Sequence, residues 1–220
     1  MTGDTDVRLA LPARTRDTRL IVVVRAPSAD DYDGVIEALL DAGVQSVELT
    51  LTTPGTIERL AGLVDRYGDG IDLGVGTVVD ADQLSRAVDA GARYLVTPVT
   101  SAALVAQATA AGVPIVPGGL TPTELYSSWS AGATAVKIFP AGTVGVSFGS
   151  HLRGPFPDIK FVPSGGISLD DVPLWLRAGA TAVSLGGPLI GDAFSGGSLG
   201  LLADRAKRLM ELVAEARSIR

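Results

Sequence analysis

Short runs of apolar, largely β-branched residues recur along this chain, each followed by a longer segment whose apolar residues return at helical spacing. The runs are LIVVV (20–24), SVELT (46–50), IDLGV (71–75), RYLVT (93–97), VPIVP (113–117), TAVKIF (134–139), IKFVP (159–163) and TAVSL (181–185). They lack the apolar/polar alternation of a half-solvated strand, which predicts eight strands buried on both faces. Helical patterns fill the gaps over 29–42, 55–67, 80–90, 101–111, 121–131, 143–153 and 168–178, and one more covers 199–217. Thr121-Pro122 and Ser168 followed by Asp170 and Asp171 mark helix starts. Five helices run into an Ala-Gly pair, at Gly43, Gly91, Gly112, Gly132 and Gly179, where a glycine cap in the left-handed region is expected.

A βα unit repeated at intervals of roughly 20 to 25 residues is the signature of a parallel sheet with right-handed helical crossovers. Eight such units close most naturally into a TIM (β/α)8 barrel, and an open doubly wound sheet is the alternative. Residues 1–17, charged and without a strand pattern, predict an extra N-terminal helix closing the barrel bottom. No linker composition interrupts the chain, so 1–220 reads as one domain. In a barrel, chemistry gathers at the C-terminal strand ends. The polar residues expected there are Arg25, Glu48, Thr50, Thr52, Thr77, Thr97, Lys137 and Ser164.

Composition narrows the function. At 220 residues, 46% hydrophobic and 19% charged, the chain has the material for a filled core and is not disordered. A net charge of -6 without a basic block argues against nucleic acid as a partner, so a small molecule is expected. No apolar run approaches the roughly 20 residues that span a bilayer, which predicts a soluble, cytoplasmic protein without a membrane partner. Zero Cys and a single His, His151, remove thiolate chemistry and any mechanism that needs two histidines. His151 itself reads as an exposed helical residue.

Two residues stand out chemically. Three lysines face fifteen arginines, and Lys137 alone lies in an apolar strand, AVKIFP. Desolvation disfavours an ammonium, which favours the neutral amine that attacks a ketone to form a Schiff base; the bland reading is a lysine that snorkels to the rim. Of six glutamates, only Glu48 sits in a strand segment. A buried carboxylate needs a partner, and Lys137 across a narrow barrel would supply it, either as an amine with an acid/base group or as a structural ion pair. The glycine turns PSGGIS (163–168) and LGGP (185–188), after strands seven and eight, would present backbone N–H groups to an anion. GVGT (74–77) lacks the spacing of a dinucleotide fingerprint, so NAD binding is rejected.

From about residue 18 onward, VELTLTTPGT, GVGTV, VTP, PGGLTPTEL, AVKIFPA, GPFPDIKFVPSGGI and the closing GG turn occur in an order that resembles the KDPG/KHG aldolases. These are class I lyases that split 2-keto-3-deoxy-6-phosphogluconate or related 2-keto acids to pyruvate and an aldehyde. The resemblance implies that Lys137 forms the imine and that Glu48 is the general acid/base, acting through water. It implies that Thr77 binds the pyruvate carboxylate and that Pro98 and Phe139 line the pocket. Ser164, Gly165 and Gly166 would hold a phosphate, with Gly186 and Gly187 in the second turn. It also implies a homotrimer, no metal and no cofactor. Two positions depart from the pattern. Thr52 stands where many members carry arginine, and Arg25 is the expected substitute. Gly187-Pro188 replaces the usual serine of the last turn, removing a hydroxyl donor. The rival readings are a phosphate-gripping isomerase or epimerase, a metal-dependent pyruvate aldolase, and a non-catalytic sugar-acid binding protein.

Overall fold

The computed structural model describes residues 8–218. All eight predicted strand segments form, as β1 (Leu20–Val24), β2 (Ser46–Thr50), β3 (Asp72–Gly76), β4 (Leu95–Val96), β5 (Ile115–Val116), β6 (Gly118–Gly119), β7 (Val136–Ile138), β8 (Phe161–Pro163) and β9 (Val183–Leu185). The fifth segment appears twice because it is split at Pro117. Pro114 and Pro117 have no N–H to give to a ladder, which confines regular pairing to the two residues on either side. Every strand pair is parallel. One ladder runs β5-β4-β3-β2-β1-β9 and the other β6-β7-β8. Only Pro117 separates β5 from β6, and Ser164, just past β8, bridges to Ser184 of β9. The result is a strongly curled parallel α/β sheet.

The helices are α1 (Ala13–Thr18), α2 (Tyr32–Asp41), α3 (Thr56–Tyr67), α4 (Ala81–Asp89), α5 (Ala102–Ala110), α6 (Pro122–Ser130), α7 (Ser147–Arg153), α8 (Val172–Arg177), α9 (Gly187–Ile190) and α10 (Leu199–Ser218). The five predicted cap glycines all have positive φ, between 71° and 101°. At α6 both halves of a capping box form, between Thr121 and Glu124. Three expectations shift. The segment 143–153 becomes helical only from Ser147, because Gly145 at φ 74° breaks the run. The segment 168–178 starts at Val172, after a turn in which Asp171 Oδ2 accepts from Ser168 N and Oγ. α9 was not anticipated and begins inside the LGGP turn. Among the described residues, no helix is long and apolar enough to cross a membrane.

Strand side chains alternate between two cores, which is why the runs show no polar alternation. Leu20, Val22 and Val24 of β1 pack outward under the helices, in a core that includes Ile36, Leu39, Phe161 and Trp175. Ile21 faces inward, where it joins Tyr94, Val96, Val116, Ala135, Val162, Ala182 and, from the N-terminal segment, Leu11. The extra N-terminal helix exists but is narrower than 1–17: α1 spans Ala13–Thr18, and residues 1–7 lie outside the described residues. It closes the N-terminal end of the sheet by a polar chain. Thr15 N donates to Asp72 Oδ2 at 2.7 Å, Thr15 Oγ1 lies 2.8 Å from Ser46 Oγ, and Ser46 Oγ lies 3.1 Å from Tyr94 Oη.

Candidate active site

A cavity of about 570 Å³ opens at the opposite, C-terminal end of the strands. Its walls include Arg25, Glu48, Thr77, Pro98, Lys137, Phe139, Ser164, Gly165, Gly166, Gly186 and Gly187, so all the residues singled out for catalysis or binding meet in one place. Thr50 and Thr97, named only as polar groups of the strand ends, do not line it. Thr97 donates to the Val99 carbonyl, and Thr50 is tied up with Thr52 and Thr53. His151 is exposed on α7 and away from the cavity, as read.

Register explains the convergence. Val23 pairs with Glu48 and Glu48 with Gly74, while Lys137 lies between Gly118 and Val162. Paired residues on parallel strands share a face, so the carboxylate and the amine both point inward. Lys137 is 7% exposed and Glu48 1%. Lys137 Nζ lies 3.9 Å from Glu48 Oε1, near enough for strong attraction and too far for a direct hydrogen bond. It also sits 5.0 Å from the centre of the Phe139 ring, within range of a cation–π contact. Glu48 Oε2 is buried and takes no hydrogen bond from the described residues. A purely structural buried carboxylate would have both oxygens satisfied; this one, on a residue that lines the cavity, does not.

Glu48 owes its position to a residue that the sequence reading passed over. A methyl group on Gly76 would stand 1.9 Å from Glu48 Oε1, and one on Gly74 would stand 2.3 Å from the Tyr94 ring. The glycines of GVGT therefore make room for a carboxylate and for the aromatic ring in the layer below, rather than for a dinucleotide. Directly after them Thr77 adopts φ 62°, a conformation that a β-branched residue rarely takes and that costs about 1–3 kcal/mol. Strain of this kind persists where the surroundings over-determine a residue, and Thr77 lines the cavity.

Arg25 reaches across to Thr52, where its Nη1 donates to Thr52 Oγ1 at 2.6 Å. No carboxylate pairs with it among the described residues. On the other wall, Gly165 (φ 82°) lies so close to Phe139 that a Cβ would meet the ring at 2.8 Å. The sequence reading missed Val23, Phe194 and Ser184, which also line the cavity. Ser184 is the one polar residue of β9, as Lys137 is of β7, but a serine there is a far weaker signal than a charge.

A lysine withheld from solvent beside a half-satisfied carboxylate, at the catalytic end of parallel strands, marks this enzyme as a lyase of the Schiff-base aldolase class. The comparisons make that specific. The family model for KDPG and KHG aldolase matches residues 11–195, and the chain belongs to that family. It is 32% identical to the 2-dehydro-3-deoxy-6-phosphogalactonate aldolase of Escherichia coli (strain K12) over 171 residues, 77% of this chain and 83% of that one. It is 34% identical to the 2-dehydro-3-deoxy-phosphogluconate aldolase of Treponema pallidum (strain Nichols) over 155 residues, 70% and 73% of the two chains. Among solved structures it resembles the KDPG aldolase of Legionella pneumophila, captured with pyruvate as a covalent carbinolamine. That match has a TM-score of 0.82 at 27% identity and covers 90% of this chain and 96% of the other.

Proposed function

We propose that this aldolase cleaves a 2-keto-3-deoxy-6-phospho sugar acid to pyruvate and glyceraldehyde 3-phosphate, with Lys137 as the imine-forming residue and Glu48 as the proton carrier. The observation that carries the reading is the buried Lys137 Nζ, 3.9 Å from Glu48 Oε1 on the cavity wall. As the free amine, Nζ adds to the C2 carbonyl, and the carbinolamine loses water to a protonated imine. Removal of the C4 hydroxyl proton sends the C3–C4 electron pair onto the iminium, releasing the aldehyde and leaving an enamine. Protonation at C3 and addition of water then return pyruvate and the amine. Glu48, which lines the cavity beside Lys137, takes the first proton and returns one at C3, relayed by water.

Arg25 and Thr77 hold the carboxylate of the keto acid, which keeps the scissile bond aligned with the imine π system. Pro98 and Phe139 enclose the reacting carbons. The glycine turns at Gly165–Gly166 and Gly186–Gly187 receive the phosphate end, and Ser164, whose N–H goes to the Ile138 carbonyl and whose O–H goes to Ser184, stands beneath them. The strands are proposed to close as a single (β/α)8 barrel domain over 1–220, supported by the short step at Pro117 on one side and the Ser164–Ser184 bridge on the other. The homotrimer rests on the family resemblance, and the cytoplasmic location on the composition.

Pyruvate release from 2-keto-3-deoxy-6-phosphogluconate, its galactonate epimer and the two dephosphorylated acids tests the assignment. We expect cleavage of at least one phosphorylated acid, with kcat/KM about tenfold or more above that of its dephosphorylated form. No pyruvate from any of the four would overturn the reading.

A further inference from the structure

Ser184 lies in β9, two residues before Gly186, and lines the cavity although it is only 2% exposed. Among the described residues its side chain has one hydrogen bond, from Ser164, whose Oγ donates to Ser184 Oγ at 3.2 Å. That direction has a consequence. With its oxygen accepting from Ser164, Ser184 still has its own O–H proton to give, and no acceptor among the described residues takes it. A buried hydroxyl donor left unused is costly, and such groups in native proteins have a partner in the functional state. The pair stands at a defined depth. Ser164 is the residue immediately before Gly165 and Gly166, and Ser184 faces it across the β8–β9 bridge. The free O–H therefore lies below the glycine turns, on the wall between them and Lys137.

We propose that Ser184 is a specificity-determining residue that donates a hydrogen bond to the C2 hydroxyl oxygen of the aldehyde half of the substrate. This rests on the aldolase reading above. An aldehyde carbon at Lys137 and a phosphate at the glycine turns leave the intervening C2 hydroxyl at the level of the serine pair. Ser164 acts behind it as the orienting partner, fixing which way the Ser184 proton points. In this assignment Ser184 contacts the aldehyde half and not pyruvate. The residue therefore influences the carbon–carbon step through its aldehyde partner and leaves enamine formation untouched.

The test compares two reactions of Ser184→Ala. Deuterium exchange at the pyruvate methyl, followed by proton NMR, reports imine and enamine chemistry without an aldehyde. Addition of pyruvate to D-glyceraldehyde 3-phosphate and to 3-hydroxypropanal phosphate, which lacks the C2 hydroxyl, reports the aldehyde half. We expect exchange within about twofold of the parent enzyme and kcat/KM for glyceraldehyde 3-phosphate lowered about tenfold, with the deoxy aldehyde nearly unaffected. Equal losses for both aldehydes, or none for either, would overturn the proposal. Ser184→Cys, close in size but a weak donor, repeats the comparison if the alanine variant loses exchange. Loss of exchange in both variants makes the serine a structural strut and also overturns it. A parent enzyme that neither exchanges the pyruvate protons nor accepts either aldehyde indicts the aldolase assignment instead.

Discussion

The two ends of the sheet each bury a carboxylate, and they treat it in opposite ways. At the N-terminal end, Asp72 is 2% exposed; its Oδ2 accepts from Thr15 N at 2.7 Å and lies 2.9 Å from Thr15 Oγ1, and its Oδ1 stands 3.8 Å from Arg93 Nη1. At the C-terminal end, Glu48 is equally buried, yet one oxygen has no partner and the other has only an ammonium beyond hydrogen-bond reach. Burial is the same and satisfaction is not. The lower group fastens α1 to the strands, whereas the upper one is left incompletely satisfied, as the proposed proton carrier requires. Thr77 adds backbone strain at the upper end. A buried charge therefore reads as structural or chemical according to the completeness of its hydrogen bonds.

The comparison can be broken first at Lys137. Lys137→Arg keeps the charge, but a guanidinium is not a nucleophile at neutral pH, so turnover should fall by about 10³ or more in a steady-state pyruvate assay. Retained activity would put the catalytic amine elsewhere. Gly76→Ala is the next largest perturbation. The new methyl cannot coexist with Glu48 Oε1 at 1.9 Å, so the carboxylate must move. Exchange of the pyruvate methyl protons should drop by about 10², the usual worth of a positioned acid/base group. Exchange at the parent rate would show that Glu48 does not need its present position.

The lower end should respond in stability rather than in rate. Asp72→Asn weakens the charge-assisted bonds to Thr15 and is expected to cost about 1.5–3 kcal/mol in denaturant unfolding, with pyruvate exchange preserved. Loss of exchange without loss of stability would reverse the assignment of the two ends. The smallest effect concerns Tyr94. Burial, with the Glu48 carboxylate nearby, pushes its hydroxyl well above the ordinary value of 10.0. The folded protein therefore keeps that proton at a pH where the unfolded chain releases it. This contribution is fully present below about pH 10 and is lost as pH rises from there through the folded value. Tyr94→Phe should flatten the alkaline limb of the stability curve and lower its neutral part by only the roughly 1 kcal/mol of the lost bond to Ser46. An unaltered alkaline limb would contradict the cause given.

Much of this was legible in the residues. Strand positions followed from apolar runs, because burial on both faces is the only environment that suits them. Lys137 and Glu48 stood out because a charge inside such a run demands an explanation. Arg25 was named as the substitute for an arginine missing at Thr52; that it also bonds Thr52 was not foreseen. What stayed hidden depends on distances between strands. Nothing local in GVGT says that Gly76 faces a carboxylate and Gly74 a tyrosine ring, since register across β2, β3 and β4 creates both contacts. Ser184 was overlooked because a serine in a strand is chemically quiet until its neighbour is known. The split at Pro117 could have been read from the two prolines and was not.

The central claim is that the amino group of Lys137 becomes covalently joined to a keto acid. Incubation with pyruvate and borohydride, followed by peptide mass analysis, tests this directly. We expect the mass of one reduced pyruvate on the peptide that carries Lys137 and none on those with Lys160 or Lys207. An unlabelled Lys137, or label on another lysine, would contradict the account.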